Sequence, residues 1–152
     1  MDRIGAFFTQ AYNKESPVPY GVTAGGAPLY SIYEWMPRYF EKGGTLGAEN
    51  MDPEIAAAAL EEYANSFHYA DPAAGGWQFS EQAAAFSSGK AAMMILYQAH
   101  LSDHRQHYSF EINKNIGYAP ILHSIRGGWS LGISSDSCQK ERAMQFITWL
   151  CS

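Results

Sequence analysis

Apolar and polar positions along the chain alternate with two periods, and the switches between them mark the elements. Residues 17–23, PVPYGVT, read as a short strand that runs into a glycine loop, AGGA. Leu29, Ile32, Tyr33, Met36 and Phe40 then recur at helical spacing, with Pro28 suited to the first turn. Pro37 removes a backbone donor and crowds the preceding turn, which predicts a kink, and Gly43-Gly44 end the helix. The next helix starts at Asp52 as cap, with Pro53 and Glu54 in its first turn. Its stripe is Ile55, Ala59, Tyr63 and Phe67.

YADPAAGGW reads as a loop, and SEQAAAFSS as a short helix that stops at Gly89. AAMMILY is apolar on both faces, as a strand in the middle of a sheet would be. IGYAPIL and WSLGIS read as two further strands around polar, irregular sequence. A last helix is expected from a cap at Asp136 or Ser137 to about Leu150, with Ala143, Met144, Ile147 and Leu150 inward. Strands and helices mix throughout, so the class is α/β or α+β in a single domain.

Composition narrows the partners. The chain has 152 residues, enough to bury a core without disulfides or metals. Aromatic residues make up 14% and charged residues 16%, the balance of a packed domain. A net charge of −5 argues against nucleic acid or an anionic membrane as the main partner. The longest apolar run, residues 91–97, is far short of a membrane span. MDRIGAFFTQAYN has no basic region followed by an apolar stretch and is not a secretory signal. Cys138 and Cys151 flank the last helix, about 20 Å apart at roughly 1.5 Å per residue. A disulfide spans about 7 Å at most, so two free thiols are expected, Cys151 packed as a small hydrophobe.

Candidate chemistry is sparse. Gly89-Lys90 invites a phosphate-loop reading, but Ala91 stands where a hydroxyl would bind Mg²⁺ and Ala84 where the first glycine would be. The element order is also inverted, helix before strand. His100, His104 and His107 fall on one face if helical, with Asp103 near, but a solvated loop accounts better for HLSDHRQH than a metal site does. Glu61 and Glu62 diverge by about 100° on a helix and cannot cooperate as a carboxylate pair. No GxSxG elbow is present, and no histidine is placed to partner Cys138. No catalytic group, cofactor or metal is assigned.

Four stretches together resemble one family. AAFSSGKAAMMILY, NIGYAPIL and RGGWSLGISSDSCQKERAMQFITWLCS stand in the order and near the spacing of the carbohydrate-type extracellular solute-binding proteins of ABC importers. Upstream, YFEKGGTLGAENMDPEIAAAALEEYANSF resembles that family too. The resemblance implies a single lobe of a periplasmic-binding-protein-like (type II) fold, a mixed sheet flanked by helices. It also implies that residues 1–152 are part of the C-terminal lobe of a two-lobe protein, with the N-terminal lobe and signal lying outside this chain. The full-length protein would be extracytoplasmic, periplasmic or a cell-surface lipoprotein. It would hold a sugar or oligosaccharide without reacting with it and deliver it to ABC permease subunits.

By the same resemblance Tyr97, Gly127, Gly128 and Trp129 reach the cleft. Trp129 would stack on a sugar ring, Tyr97 would stack or donate its hydroxyl, and the glycines would let backbone approach the ligand. Trp129 also reads as a core tryptophan. Arg126 suits hydroxyls or a carboxylate, and also reads as a surface arginine. The TAGGAPLY loop is another possible cleft element; Trp35 reads more as packing, and Trp77 as either. Gly89 and Lys90 become scaffold, the glycine for its backbone and the lysine solvated. Two other classes stay open at this level: a carbohydrate-active enzyme, and a sensory or structural lobe that has lost its ligand.

Overall fold

Two short parallel strands, β1 (Tyr20–Val22) and β2 (Ala91–Met93), form the centre, in register Tyr20 to Ala91 and Val22 to Met93. The computed structural model describes residues 2–47, 51–95, 115–123, 125 and 130–151. Among the described residues five helices accompany the strands: α1 (Asp2–Phe7), α2 (Ser31–Glu41), α3 (Pro53–Ser66), α4 (Phe79–Ser87) and α5 (Lys140–Leu150). Two 3₁₀ turns, Phe67–Tyr69 and Pro72–Gly76, link α3 to α4. This is one α/β lobe with a small sheet flanked by helices.

The helix starts follow from their caps. The Asp52 carboxylate accepts the Glu54 and Ile55 amides, and Pro53 opens α3. Ahead of α4, the Gln78 amide donates to Glu81 Oε2. Gly89 then adopts φ +72, a left-handed conformation that stops α4 and turns the chain into β2. Lys90 is exposed, as expected of a scaffold residue. α1, which the sequence did not announce, lies against β1 through Thr9, whose hydroxyl donates to Gly5 O and accepts from the Gly21 amide. The core gathers Val22, Ala24, Ala70 and Ala74, with Phe67, Tyr69, Trp77 and Met93 packed on it.

Several expectations change here. On α2 the first part of the stripe faces out, with Leu29 82% exposed and Ile32 and Tyr33 exposed too, while Met36 and Phe40 are only partly buried. Glu34, Pro37, Arg38 and Tyr39 face inward instead, because they bond and stack on what lies beneath. The α3 stripe is as expected, with Ala59 and Tyr63 buried and Ile55 and Phe67 partly so. Among the described residues β2 pairs with β1 alone, so it is not seen in the middle of a sheet. Residues 116–122 and 130–134 carry no strand; they have strand-like composition but no ladder partner among the described residues, and nearly all are exposed. In α5, Met144 and Leu150 are more than half exposed, and only Ala143 and Ile147 are partly buried. The helix begins one turn later than the Asp136 or Ser137 cap, although the Ser137 hydroxyl accepts the Gln139 amide. Both cysteines are free and exposed, so Cys151 is not packed. No described helix is long and apolar enough to cross a membrane.

Candidate functional site

Ligands of α/β sheets collect beyond the carboxyl ends of parallel strands. Here that edge is marked by Thr23, whose amide donates to Met93 O as both strands end. The chain leaves β1 into the loop 23–30, and three helices grip it. From α2, Glu34 Oε1 accepts the Gly25 amide at 2.8 Å. From α3, the Tyr63 hydroxyl donates to Gly25 O at 2.7 Å. From α4, Gln82 Oε1 accepts the Thr23 hydroxyl at 3.2 Å. Gly26 and Ala27 add backbone bonds to Ala74 O and Trp77 O. Gly25 lies so close to the Gln82 side-chain amide that a Cβ there would overlap it.

The grip is charged. Glu34 is 3% exposed, and its Oε2 lies 3.7 Å from Arg38 Nη1, one helical turn on. Arg38 also donates from Nη1 to Glu34 O and places its guanidinium 5.7 Å from the centre of the Tyr63 ring. Burial pushes the Glu34 carboxyl up to about 7, against the pull of Arg38, the Gly25 amide and the Gln82 side chain. Burial, together with the Glu34 charge, pushes the Tyr63 phenol up to about 12 while Arg38 lowers it. The Tyr63 hydroxyl is therefore a donor at any ordinary pH.

Beyond the loop stands an aromatic lip. Tyr30 and Tyr33, at the start of α2, meet Phe79, the first residue of α4. Tyr30 and Phe79 are edge to face with ring centres 5.1 Å apart; Tyr33 and Phe79 are 5.8 Å apart, and Tyr30 and Tyr33 6.4 Å. Leu29 beside them holds φ +71, an uncommon conformation for a branched residue, and projects into solvent. Behind the lip, between α2 and α3, is a groove of about 380 Å³ lined by Ile32, Trp35, Ala56 and Leu60 among others. Trp35 packs there as expected, stacked on Tyr39 at 5.1 Å with its indole donating to Ala56 O.

Tyr97, Arg126, Gly127, Gly128 and Trp129 all lie outside the described residues, as do His100, Asp103, His104 and His107. Of the expected cleft elements, the TAGGAPLY loop lies within the described residues, and Trp77 packs on the core. Tyr30, Tyr33 and Phe79 were missed as a group. Periodicity had assigned Tyr33 to a helix stripe and left Tyr30 as the end of that loop, and Phe79 was given no role; the Y-x-x-Y spacing of Tyr30 and Tyr33 was the available signal. Among the described residues no group of three or more His, Cys, Asp or Glu could hold a metal.

The sequence pattern described as bacterial extracellular solute-binding protein matches residues 9–152. A probable amino-acid ABC transporter periplasmic-binding protein of Sinorhizobium fredii is 27% identical over 77 residues, 50% of this chain and 18% of that protein. This chain thus spans a small part of the relative's length. No solved structure matches.

Proposed function

Since the chain belongs to the bacterial extracellular solute-binding protein family, we propose that it supplies one side of a solute cleft, with Tyr30, Tyr33 and Phe79 as its aromatic lip. The family binds solutes outside the cytoplasm rather than transforming them, and the lobe in hand is read accordingly as a binding module, not an enzyme. The observation that carries the reading is three mutually touching rings at the mouth of a tightly held loop beyond the strand ends. Flat rings suit the C–H faces of a sugar, and a few placed polar groups suit its hydroxyls.

In this reading residues 1–152 are part of the C-terminal lobe. A second lobe completes the cleft, and ligand stabilises the closed pair by binding it better than the open one. The loaded protein delivers its solute to ABC permease subunits from the periplasm or from a lipid anchor on the cell surface. Tyr97, Arg126, Gly127, Gly128 and Trp129 are proposed to reach the same cleft. β2 supports this for Tyr97, because its carboxyl end leaves the sheet at the same edge as the loop.

A sugar or oligosaccharide is the first choice of solute. The Sinorhizobium relative favours a second, an amino acid, whose carboxylate would fall to Arg126. Saturation-transfer NMR on this chain, with maltotriose and with a panel of L-amino acids at millimolar concentration, separates the two. Transfer to one class, lost in Tyr33→Ala, is expected. Transfer to neither class would overturn the proposal.

A further inference from the structure

The Glu34 carboxylate occupies an unusual position: it is buried, and it spends one oxygen on the backbone of a glycine in another segment. Oε1 accepts the Gly25 amide, while Oε2, 3.7 Å from Arg38 Nη1, has no hydrogen-bond partner among the described residues. The residue belongs to the first turn of α2, the same turn that carries Tyr33 and follows Tyr30. Its inward bond and the outward rings are thus two ends of one rigid piece. On the far side of the Gly25 peptide, Tyr63 holds the carbonyl. Resting on the reading of Tyr30, Tyr33 and Phe79 as the cleft lip, we infer that Glu34 is its positioning residue. Its charged carboxylate clamps Gly25 to α2, and protonation of that carboxylate loosens the clamp and lets the lip shift.

The groups that face Glu34 set how the switch works. Arg38 on α2, with Nη1 3.7 Å from Glu34 Oε2, favours the anion. Tyr63 on α3 stays a neutral donor, its phenol being held high by burial. Gln82 on α4 and the Gly25 amide of the loop also favour the anion, and burial opposes all of them. A charged acceptor makes the stronger bond to an amide. Gaining a proton therefore relieves the cost of a buried charge and weakens the Gly25 bond in the same step. The change falls near neutral pH, where burial has pushed the carboxyl. A solute grasped by the lip would be held more firmly on the alkaline side.

Amide and ring NMR of this chain between pH 5 and pH 9, roughly two units either side of that carboxyl, reads the switch without any solute. The Gly25 amide and the Tyr30 and Tyr33 rings are expected to follow one single-proton curve, with the midpoint of the Glu34 carboxyl carbon itself. Glu34→Gln, which keeps an acceptor but cannot titrate, should flatten all three. Should that variant fail to fold, coincidence of the three midpoints with the carboxyl carbon in the wild-type chain decides the matter. A flat Gly25 amide, rings that ignore the Glu34 midpoint, or a curve that survives Glu34→Gln would overturn the proposal. Failure of the solute reading shows up separately, as absent saturation transfer with the Gly25 curve intact.

Discussion

Glycine 25 is where the physical chemistry of this lobe concentrates. Its amide and carbonyl are both used by buried side chains, and its missing side chain makes room for the Gln82 amide. Gly25→Ala forces that amide aside in a packed interior and should cost about 1–3 kcal/mol, the usual penalty of overpacking, measured by urea unfolding. Glu34 adds a pH signature of definite sign. Its folded pKa of about 7 stands above the ordinary carboxylate value of 4.5, so between these values the folded state holds a proton that the unfolded chain releases. The stabilisation is complete below the lower value and is lost as pH rises through the upper one. The unfolding free energy from urea titrations should fall from about pH 5 to pH 8 by an amount on the order of 3 kcal/mol, lowering the urea midpoint with it, and Glu34→Gln should remove most of that slope. A midpoint that rises over this range would contradict the role of burial at Glu34.

At the scale of elements, the sequence was most readable where local chemistry decides. Asp52, Pro53 and Glu54 announce α3, and Gly89 announces the end of α4, because caps and left-handed turns are settled within a few residues. Asp52→Ala removes two amide partners and should lower stability by about 1 kcal/mol, visible as a small downward shift of the thermal midpoint. α2 misled for a reason that is equally physical. Its buried face carries Glu34 and Arg38 because the loop beneath offers an amide to be satisfied, and periodicity counts only apolar residues. Leu29, Ile32 and Tyr33 of the expected stripe are left outside, where Tyr33 meets Tyr30 and Phe79, while Met36 and Phe40 are partly buried. Residues 116–122 and 130–134 show the other limit. Strand composition can be read from one segment, but a strand exists only with its ladder.

For the whole molecule, the family is legible in stretches spread over most of the chain, and the match to residues 9–152 bears that out. The nature of the solute is not written in the same stretches, since a sugar-type resemblance and an amino-acid relative meet in one chain. On the proposed two-lobe reading this chain carries one side of the cleft. With the other side of the ligand left in water, much of the contact that gives a closed clamp its affinity is missing. Titration calorimetry on this chain should therefore show binding too weak to saturate, the range that saturation transfer still reads, and micromolar affinity would show that a single lobe suffices. The central claim is that solute meets this lobe at Tyr30, Tyr33 and Phe79. Chemical-shift mapping with the solute that saturation transfer selects tests it most directly. The account predicts that the rings of those three residues and the Gly25 amide move together as solute is added. Shifts confined to the groove around Trp35 and Leu60, with the three rings unmoved, would contradict it.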